Sequence, residues 1–452
     1  MSGATTTLGA GMLEHADAYL ASFEAVEKRW ANAPGWLREL RRGAMARFTE
    51  LGFPTGKLEE WKFTSVAPIA RTRFRLAEPD NGPAGQGHGI EAGVTAGAIP
   101  AGVPYIVFLN GRYSQAQSNL GGLPKGVRVG SLAGFLKNGR AEEHLARYAA
   151  WREEAFVALN TAFAEDGALI EISRGTVLRG PIYVVFRSVP SGEPAMSHPR
   201  NLILAGEASQ AAIVEVYAGD ARGNYFTNAV TELLAGETAV IEHYKLQQES
   251  QEAFHVATLQ VRQQRSSSFA AHSVSLGGAL VRNNVNSVLD GDGAQCTLNG
   301  LYLTGGRQHV DNHTVLDHAK PHCGSREYYK GILDGRSSAV FNGGIVVRKD
   351  AQKTDAIQSN KNLLLSENAV INTKPQLQIW ADDVRCTHGA TIGQLDSEAL
   401  FYLRSRGIGH DEARHLLTFA FANEVLGRMK LEVLRAHLER QMFARLSKGC
   451  RP

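Results

Sequence analysis

Cys386 and His388 stand two residues apart in the segment ADDVRCTHGATIGQLD, and this pair has clear chemical potential. A thiolate and a neutral imidazole are both ligands for iron and zinc, and together they can also form a nucleophile and its base. If the segment is a strand, the two side chains lie on one face, because residues i and i+2 of a strand point the same way. A metal site normally needs three or four ligands. The pair therefore has a structural role or belongs to a site that another chain completes.

A second group of candidate ligands lies in the segment HVDNHTVLDHAKPHC. Its four imidazoles and one thiol are His309, His313, His318, His322 and Cys323. β-Branched residues and a proline disfavour a helix here, and on a strand His309, Asp311 and His313 would share one face. The spacing lacks a compact zinc signature, so a structural role is favoured over a metal site.

Two further motifs give no support to nucleotide or sugar chemistry. The segment GFPTGKLEE resembles a phosphate-binding loop, but its glycines are too close together and Leu58 stands where a Mg²⁺-binding hydroxyl is needed. Asp382 and Asp383 are adjacent, so on a strand they would point to opposite faces and could not flank one glycosidic bond. We expect one of them to be buried or capping and the other solvated. A carbohydrate-active β-helix enzyme therefore finds no support beyond the predicted fold.

The composition is that of a folded protein without a strong charge bias. The chain has 452 residues, of which 43% are hydrophobic and 21% charged, and its net charge is +3. This charge is too small to predict binding to nucleic acid or to an anionic membrane. We find no apolar run of ~18 residues, no secretory signal pattern and no disulfide framework among the four scattered cysteines. We therefore expect a cytoplasmic protein with no membrane span.

Residues 1–150 are predicted to form a mostly helical region. Helical patterns cover 12–30 and 34–51, and a loop rich in glycine and proline follows at 78–101. The segment PYIVFLNGRYS then predicts a strand and a turn. The apolar stripe of the first helix is predicted to contain Leu13, Ala16, Leu20, Phe23 and Val26.

Residues 151–393 contain many short β-forming runs and a weak repeat. Its approximate anchors are Ala211, Ala239, Phe269, Gln295, Ala339 and Ala369, at steps of 28, 30, 26, 44 and 30 residues. One coil of a solenoid cannot bury its apolar face alone, so stacked coils of this length are favoured. A large sandwich stays open as an alternative from the pattern alone.

Residues 394–452 predict a helical C-terminal region. Asp396 is a predicted N-cap, and Gly407 a predicted helix end. The last helix carries one apolar stripe, formed by Leu431, Leu434, Leu438 and Met442. Such amphipathic helices either cap the solenoid or dock on a partner.

The segment 325–408 resembles a known family. The sequences SREYYKGILDGRSSAVFNGGIVV and DAQKTDAIQSNKNLLLSENAVINTKPQLQIWADDVRCTHGATIGQLDSEALFYLRSRGI strongly resemble the SufB/SufD family of iron–sulfur cluster assembly proteins. The segment around His388 is similar to the SufD branch, because Gly389 stands where the SufB branch has a glutamate. PTGKLEEWKFTSV near the N-terminus also resembles that branch, whereas 80–300 match only loosely.

The resemblance implies a mainly β fold, a right-handed parallel β-helix flanked by helical N- and C-terminal regions. It implies a non-catalytic scaffold that pairs with a SufB-like paralogue through the β-helix. A SufC-like ABC ATPase would bind the C-terminal helices at 396–446 and supply the ATPase activity. His388 would then be a candidate iron ligand at the SufB interface, with Cys386 a weaker candidate. The iron–sulfur cluster would be transient and shared with SufB, which carries the principal sulfur-accepting cysteine.

The sequence is also compatible with a second kind of scaffold. A SufB-like scaffold that holds a cluster itself, also as a homodimer, is the nearby alternative. The resemblance associates a reduced flavin with the complex, but no motif in this sequence gives it a site. The cluster type and the order of iron and sulfur delivery do not follow from the sequence.

Overall fold

The structure is a computed structural model that describes residues 10–78, 99–136, 140–189, 192–219 and 223–447. The helices in these ranges are α1 (Ala10–Glu27), α2 (Gly35–Leu51), α3 (Ala67–Arg71), α4 (Leu132–Phe135), α5 (Arg140–His144), α6 (Ala155–Phe163), α7 (Ser397–Ser405), α8 (His410–Leu426) and α9 (Glu432–Ser447). The strands are β1 (Arg75–Leu76), β2 (Tyr105–Leu109), β3 (Arg112–Tyr113), β4 (Val127–Ser131), β5 (Ala168–Ile172), β6 (Ile182–Ser188), β7 (Ala195–Ser197), β8 (Arg200–Ala205), β9 (Gln210–Gly219), β10 (Tyr225–Ala235), β11 (Val240–Gln248), β12 (Phe254–Gln263), β13 (Ser268–Ser275), β14 (Leu280–Leu289), β15 (Gln295–Thr304), β16 (His309–His318), β17 (Gly324–Leu333), β18 (Ser338–Val347), β19 (Asp355–Leu364), β20 (Val370–Ile379) and β21 (Arg385–Gly393).

The strands form two sheets that share one apolar interior. From β8 onward, even-numbered strands belong to the first sheet and odd-numbered strands, from β9, to the second sheet. The chain alternates between the sheets, and each strand pairs in parallel with the strand of the same sheet in the next coil. The result is a parallel β-solenoid of about eight turns with helices at both ends of the chain. The predicted mainly β solenoid flanked by helical regions is confirmed.

The irregular 44-residue step in the predicted repeat comes from a change of sheet. Gln295 begins β15 in the second sheet, whereas Ala339 lies on β18 in the first sheet. Within the second sheet, the register pairs the first residues of successive strands at steps of 28, 27, 29, 31 and 30; these residues are Val240, Ser268, Gln295, Gly324, Asp355 and Arg385. The repeat is therefore regular in three dimensions although it is weak in sequence.

The corner before each second-sheet strand from β9 to β19 repeats one backbone conformation. The residue two positions before the strand has a positive φ of 53° to 72°; these residues are Ala208, Thr238, Ser266, Gly293, His322 and Lys353. Gly293 alone among these six is glycine. Because the turn repeats in shape and not in residue type, the corners leave no recognisable motif in the sequence.

The N-terminal region packs on the outer face of the first sheet. Phe48 of α2 and Phe156 of α6 belong to a buried apolar cluster with Phe226 of β10 and Phe254 of β12. The predicted strand and turn in PYIVFLNGRYS are confirmed as β2 and β3. The loop predicted at 78–101 lies almost entirely outside the described residues, and Cys450 also lies outside them.

The apolar stripe predicted for the first helix is partly wrong. Phe23 and Val26 are buried, but Leu20 is exposed and Tyr19 is buried instead. The side chains of the first two predicted stripe residues lie outside the described part of α1. The shift arises because Tyr19 packs edge-on against the ring of Phe53, a contact that helical periodicity does not reveal.

The C-terminal helices α8 and α9 pack on the outer face of the second sheet. Leu434, Leu438 and Met442 are buried against it, which confirms most of the predicted stripe. The Asp396 carboxylate accepts a hydrogen bond from the backbone N–H of Glu398 at 2.8 Å, so the predicted N-cap of α7 is also confirmed. These helices cover the side of the solenoid and leave its last coil uncovered. None of the described helices is long and apolar enough to span a membrane.

Candidate functional site

β20 and β21 form the last coil of the solenoid. Within the described ranges, β20 pairs only with β18 and β21 only with β19, so each strand has one open edge. Large apolar side chains on this coil are 39–59% exposed; they are Val370, Ile379, Trp380 and Ile392. An open strand edge with apolar neighbours is a template for pairing with another chain.

β21 carries both candidate ligands from the sequence. Cys386 stands opposite Ala356 of β19 and His388 opposite Gln358, and both of these partners are buried. The strand runs through both residues, so their side chains share a face, as predicted. Cys386 is half-buried against the apolar interior, whereas His388 is exposed, because no further coil covers it.

The environment of Cys386 does not activate its thiol. Burial raises the pKa of Cys386 above its ordinary value, against the lowering effect of a backbone hydrogen bond at Ala356. A raised pKa leaves less thiolate at neutral pH, and the thiolate is the form that attacks or binds metal. His388 is therefore the more accessible of the two candidate ligands.

No group of three or more histidine, cysteine, aspartate or glutamate side chains is arranged to hold a metal ion in the described part of the chain. A metal site that includes His388 would consequently draw its remaining ligands from another chain.

Two buried polar side chains occupy the positions that correspond to His388 in the two preceding coils of the second sheet. Glu327 on β17, Gln358 on β19 and His388 on β21 stand in register, one above the other. The side-chain N–H of Gln358 donates to Glu327 Oε2 at 2.6 Å, and both residues are at most 2% exposed. Burial raises the pKa of Glu327 to about 7, although the polar side chains of Thr314 and Gln358 act in the opposite direction.

No local pattern in the sequence predicts this polar column. The available signal was the spacing of 31 and 30 residues between Glu327, Gln358 and His388, which matches the coil length. That signal becomes readable only when the register of the coils is known.

The group from His309 to Cys323 does not converge on one site. His309, Asp311 and His313 lie on the outer face of β16, as predicted for a strand. His318 and Cys323 are buried on the interior side, and His322 lies in an exposed corner. The interpretation of this group as structural agrees with that placement.

Asp311 and His313 on the outer face of β16 take part in a cluster that holds the N-terminal segment. We name this cluster the N-terminal clamp, and its members are Trp61, Thr64, Arg282, Asp311 and His313. Arg282 donates to Asp311 at 2.5 Å and its guanidinium stacks 4.1 Å from the ring of Trp61. Asp311 also accepts from the Thr64 hydroxyl and lies 3.1 Å from His313 Nε2. Burial alone would raise the pKa of Asp311, but Arg282 and His313 hold it well below its usual range.

The remaining motifs have no catalytic geometry. Gly52 ends α2 with a φ of 64°, and a short turn at Glu59–Trp61 follows, so GFPTGKLEE is not a strand–loop–helix phosphate site. Asp382 and Asp383 lie in the corner between β20 and β21, and both are exposed. The expectation that one of them is buried or capping is wrong, because the chain bends here and Asp383 forms an exposed ion pair with Lys353.

Comparison with known families decides the membership of this chain. Residues 186–421 match the family model for the SufBD core domain of SUF system FeS cluster assembly, and residues 13–184 match the SufBD N-terminal region. The chain belongs to the SufB/SufD family. Members of this family are scaffold and assembly components, so the chain is an iron–sulfur cluster assembly protein.

Relatives of the SufB/SufD family align with most of this chain. An iron–sulfur cluster assembly SufBD family protein of Synechocystis sp. is 34% identical over 420 residues, 90% of each chain. The iron–sulfur cluster assembly protein SufD of Escherichia coli is 31% identical over 402 residues, 88% of this chain and 91% of its own. A chloroplastic protein of Arabidopsis thaliana is 35% identical over 332 residues, 71% of this chain and 69% of its own.

Proposed function

We propose that this chain is the SufD-like, non-catalytic scaffold subunit of a cytoplasmic SUF complex. It pairs with a SufB-like paralogue through the last coil and with a SufC-like ABC ATPase through the C-terminal helical region. The ATPase supplies nucleotide hydrolysis, and the nascent iron–sulfur cluster is cargo shared with the SufB-like subunit.

The open last coil is the observation that carries this proposal. β20 and β21 present unpaired backbone edges beside exposed Trp380 and Ile392, and β21 also presents the exposed His388. A second solenoid that adds a strand to these edges satisfies the backbone groups and covers the apolar side chains. It also brings its own side chains next to His388.

The C-terminal helices support a separate docking surface. α8 and α9 use their apolar faces against the second sheet, but α7 has no buried residue. Phe401 and Tyr402 on α7 are 73% and 57% exposed, and Phe443 on α9 is 50% exposed. Exposed aromatic side chains of this kind are characteristic anchors of protein interfaces. We assign this surface to the ATPase subunit.

His388 has the chemistry for the shared site. A neutral imidazole nitrogen is a good iron ligand, and thiolate ligands from the SufB-like subunit would complete the coordination. Cys386 is expected to contribute less, because its thiol is half-buried and its pKa is raised. A Cys386→Ser variant should therefore retain iron.

The test is the iron and acid-labile sulfide content of the complex co-expressed with the SufB-like and SufC-like subunits, for wild type and His388→Ala. His322→Ala is the matched control, because His322 is another exposed histidine at a corner of the same solenoid. Complex assembly is first verified for each variant by size-exclusion chromatography and subunit stoichiometry.

A sharp loss of iron in His388→Ala alone, with intact assembly, supports the shared site. Unchanged iron and sulfide would overturn the ligand role of His388 and leave the chain as a docking platform. Substantial cluster on the isolated wild-type chain, also as a homodimer, would instead favour a scaffold that holds the cluster itself.

A further inference from the structure

The side-chain oxygen of Gln358 is buried and has no hydrogen-bond partner among the described residues. The residue is 1% exposed, so bulk water does not satisfy this oxygen. A buried acceptor without a donor is unfavourable, and such orphaned atoms in native structures indicate a missing partner. The question is therefore which donor belongs opposite this oxygen.

Glu327 fixes the orientation of the Gln358 amide. The 2.6 Å hydrogen bond runs from Gln358 Nε2 to Glu327 Oε2, so with Glu327 ionised the amide NH₂ points toward Glu327 and the amide oxygen points away from it. The hydroxyl of Thr314 on the opposite sheet makes no hydrogen bond to the described residues, and the buried Glu327 Oε1 also lacks a donor. Because Thr314 lowers the pKa of Glu327, we assign its hydroxyl to that carboxyl group and not to the Gln358 oxygen.

Gly343 shows that the fold makes room for this amide. Gly343 lies on β18, across the interior from Gln358, and a Cβ atom at Gly343 would come 2.2 Å from Gln358 Nε2. The backbone of Gly343 is not among those with positive φ, so its conformation does not require glycine. A Cβ at Gly343 would therefore force the Gln358 amide to move, and it would also come 2.9 Å from the ring of Phe341.

His388 is the next residue of the column, and the strand register places it where it can donate a hydrogen bond to the Gln358 oxygen. It stands directly opposite Gln358 on β21 and makes no hydrogen bond to the described residues, so its exposed ring can turn toward the amide. A neutral imidazole has one N–H donor and one unprotonated nitrogen. Metal-binding histidines commonly donate their other N–H to an oxygen acceptor, which fixes the tautomer.

We propose that Gln358 is the positioning residue of His388: the Gln358 side-chain oxygen accepts the ring N–H of His388 and leaves the other ring nitrogen unprotonated and available to a ligand outside the chain. Glu327 holds the amide in this orientation, and Gly343 provides the space. The use of the free nitrogen for iron rests on the proposed function, but the hydrogen bond itself does not.

The test reads the tautomer of His388 directly in the full-length chain. The ring nitrogens are observed by NMR after selective ¹⁵N-histidine labelling, and the His388 signals are assigned by their loss in His388→Ala. The variants are Gln358→Leu, which removes the acceptor, and Gly343→Ala, which displaces the amide. Gln263→Leu is the control, because Gln263 is also a fully buried interior glutamine but stands outside the His388 column.

The expected result is a single tautomer of His388 in the wild type and in Gln263→Leu, and a mixture of tautomers in Gln358→Leu and Gly343→Ala. A tautomer mixture in the wild type, or an unchanged single tautomer in Gln358→Leu, would overturn the proposal. A tautomer mixture in the wild-type spectrum overturns the proposal even without the variants, and Gly343→Ala takes the place of Gln358→Leu if the latter does not fold.

Iron affinity of the assembled complex separates this proposal from the proposed function. Gln358→Leu is expected to weaken iron binding by about 10-fold, the usual effect of removing a hydrogen-bond partner of a metal ligand. If His388→Ala leaves iron unchanged, the ligand role fails while the tautomer data still decide the positioning role. If His388→Ala removes iron and Gln358→Leu changes neither tautomer nor iron, the positioning role fails alone.

Discussion

β16 and β21 both carry histidines beside other potential ligands, but the fold treats the two strands differently. On β16, His309 bonds with Thr64 at 2.9 Å through one ring nitrogen and with Ser338 at 2.7 Å through the other. On β21, His388 is exposed at the open end of the solenoid. β16, which has more histidines, is covered by the N-terminal region, whereas β21, which has one, has an open edge.

The difference shows that coverage determines whether a histidine is available for chemistry. A ring whose two nitrogens are both used inside the fold has no lone pair to offer a metal. The N-terminal clamp consumes the ligands of β16 to hold a segment of the same chain. On the last coil, His388 of β21 stays exposed and is available to a different chain.

The largest expected effect is the loss of the N-terminal clamp in Arg282→Met. Asp311 would remain buried without its cationic partner, so we expect a loss of about 3–5 kcal/mol in the free energy of unfolding. Urea denaturation measures this loss. Arg265→Met, which breaks the exposed pair with Glu237, should lose less than about 1 kcal/mol. Equal losses in the two variants would contradict the clamp.

The next effect concerns the open coil and association rather than stability. Trp380→Asp should weaken binding to the SufB-like subunit by at least about 2 kcal/mol, because it places a charge where an exposed aromatic ring would be covered. The unfolding free energy of the isolated Trp380→Asp chain should differ from that of the wild type by about 0.5 kcal/mol or less. Val177→Asp, at an exposed apolar residue in the first coil, is the control for calorimetric titration. Equal affinity of Trp380→Asp and wild type would move the interface away from the last coil.

Glu327→Gln should stabilise the chain in a pH-dependent manner. The folded chain holds the pKa of Glu327 at about 7, above the ordinary 4.5, so between these values the folded state binds more protons than the unfolded state. Wild-type stability therefore falls as pH rises from 4.5 to 7 and is constant above. The variant avoids this loss and should gain on the order of 3 kcal/mol at pH 8 and less than about 1 kcal/mol at pH 5. Equal gains at both pH values would show that burial of the charge is not the cause.

The smallest effect is expected for His388→Ala. An exposed side chain outside the clamp should change the unfolding free energy by about 0.5 kcal/mol or less. His309→Ala should lose on the order of 2 kcal/mol, because Thr64 and Ser338 each lose a partner. Thermal and urea unfolding of the two variants side by side measures the contrast. A larger loss in His388→Ala than in His309→Ala would reverse the roles assigned to β21 and β16.

The sequence predicted the features that depend on local periodicity. The stripe through Leu434, Leu438 and Met442, the N-cap at Asp396 and the shared face of Cys386 and His388 all follow from helix or strand geometry within a few residues. The solenoid was predicted from a weak repeat together with a family resemblance.

The features that the sequence did not predict depend on contacts between distant residues. Thr64 and Asp311 are 247 positions apart, so no local pattern predicts the N-terminal clamp. The column of Glu327, Gln358 and His388 requires the register of three coils. The exposed corner at Asp382 and Asp383 was predicted as a strand because the two aspartates were treated as part of the β-forming run, although aspartate is also a common turn residue.

The repeated corner conformation has a consequence for the dimensions of the molecule. The corner conformation repeats before β9 to β19, and each strand pairs in parallel with the next coil, so the solenoid advances by one inter-strand spacing of about 4.8 Å per coil. α8 contacts β15 and β17, which lie three and two coil steps from β21, so the helix-covered strands nearest the open end are roughly 10–15 Å from β21. Inserting or deleting one whole coil would move the open end by about 5 Å and leave its chemistry intact. The number of coils between α8 and β21 therefore sets the distance between the two proposed docking surfaces.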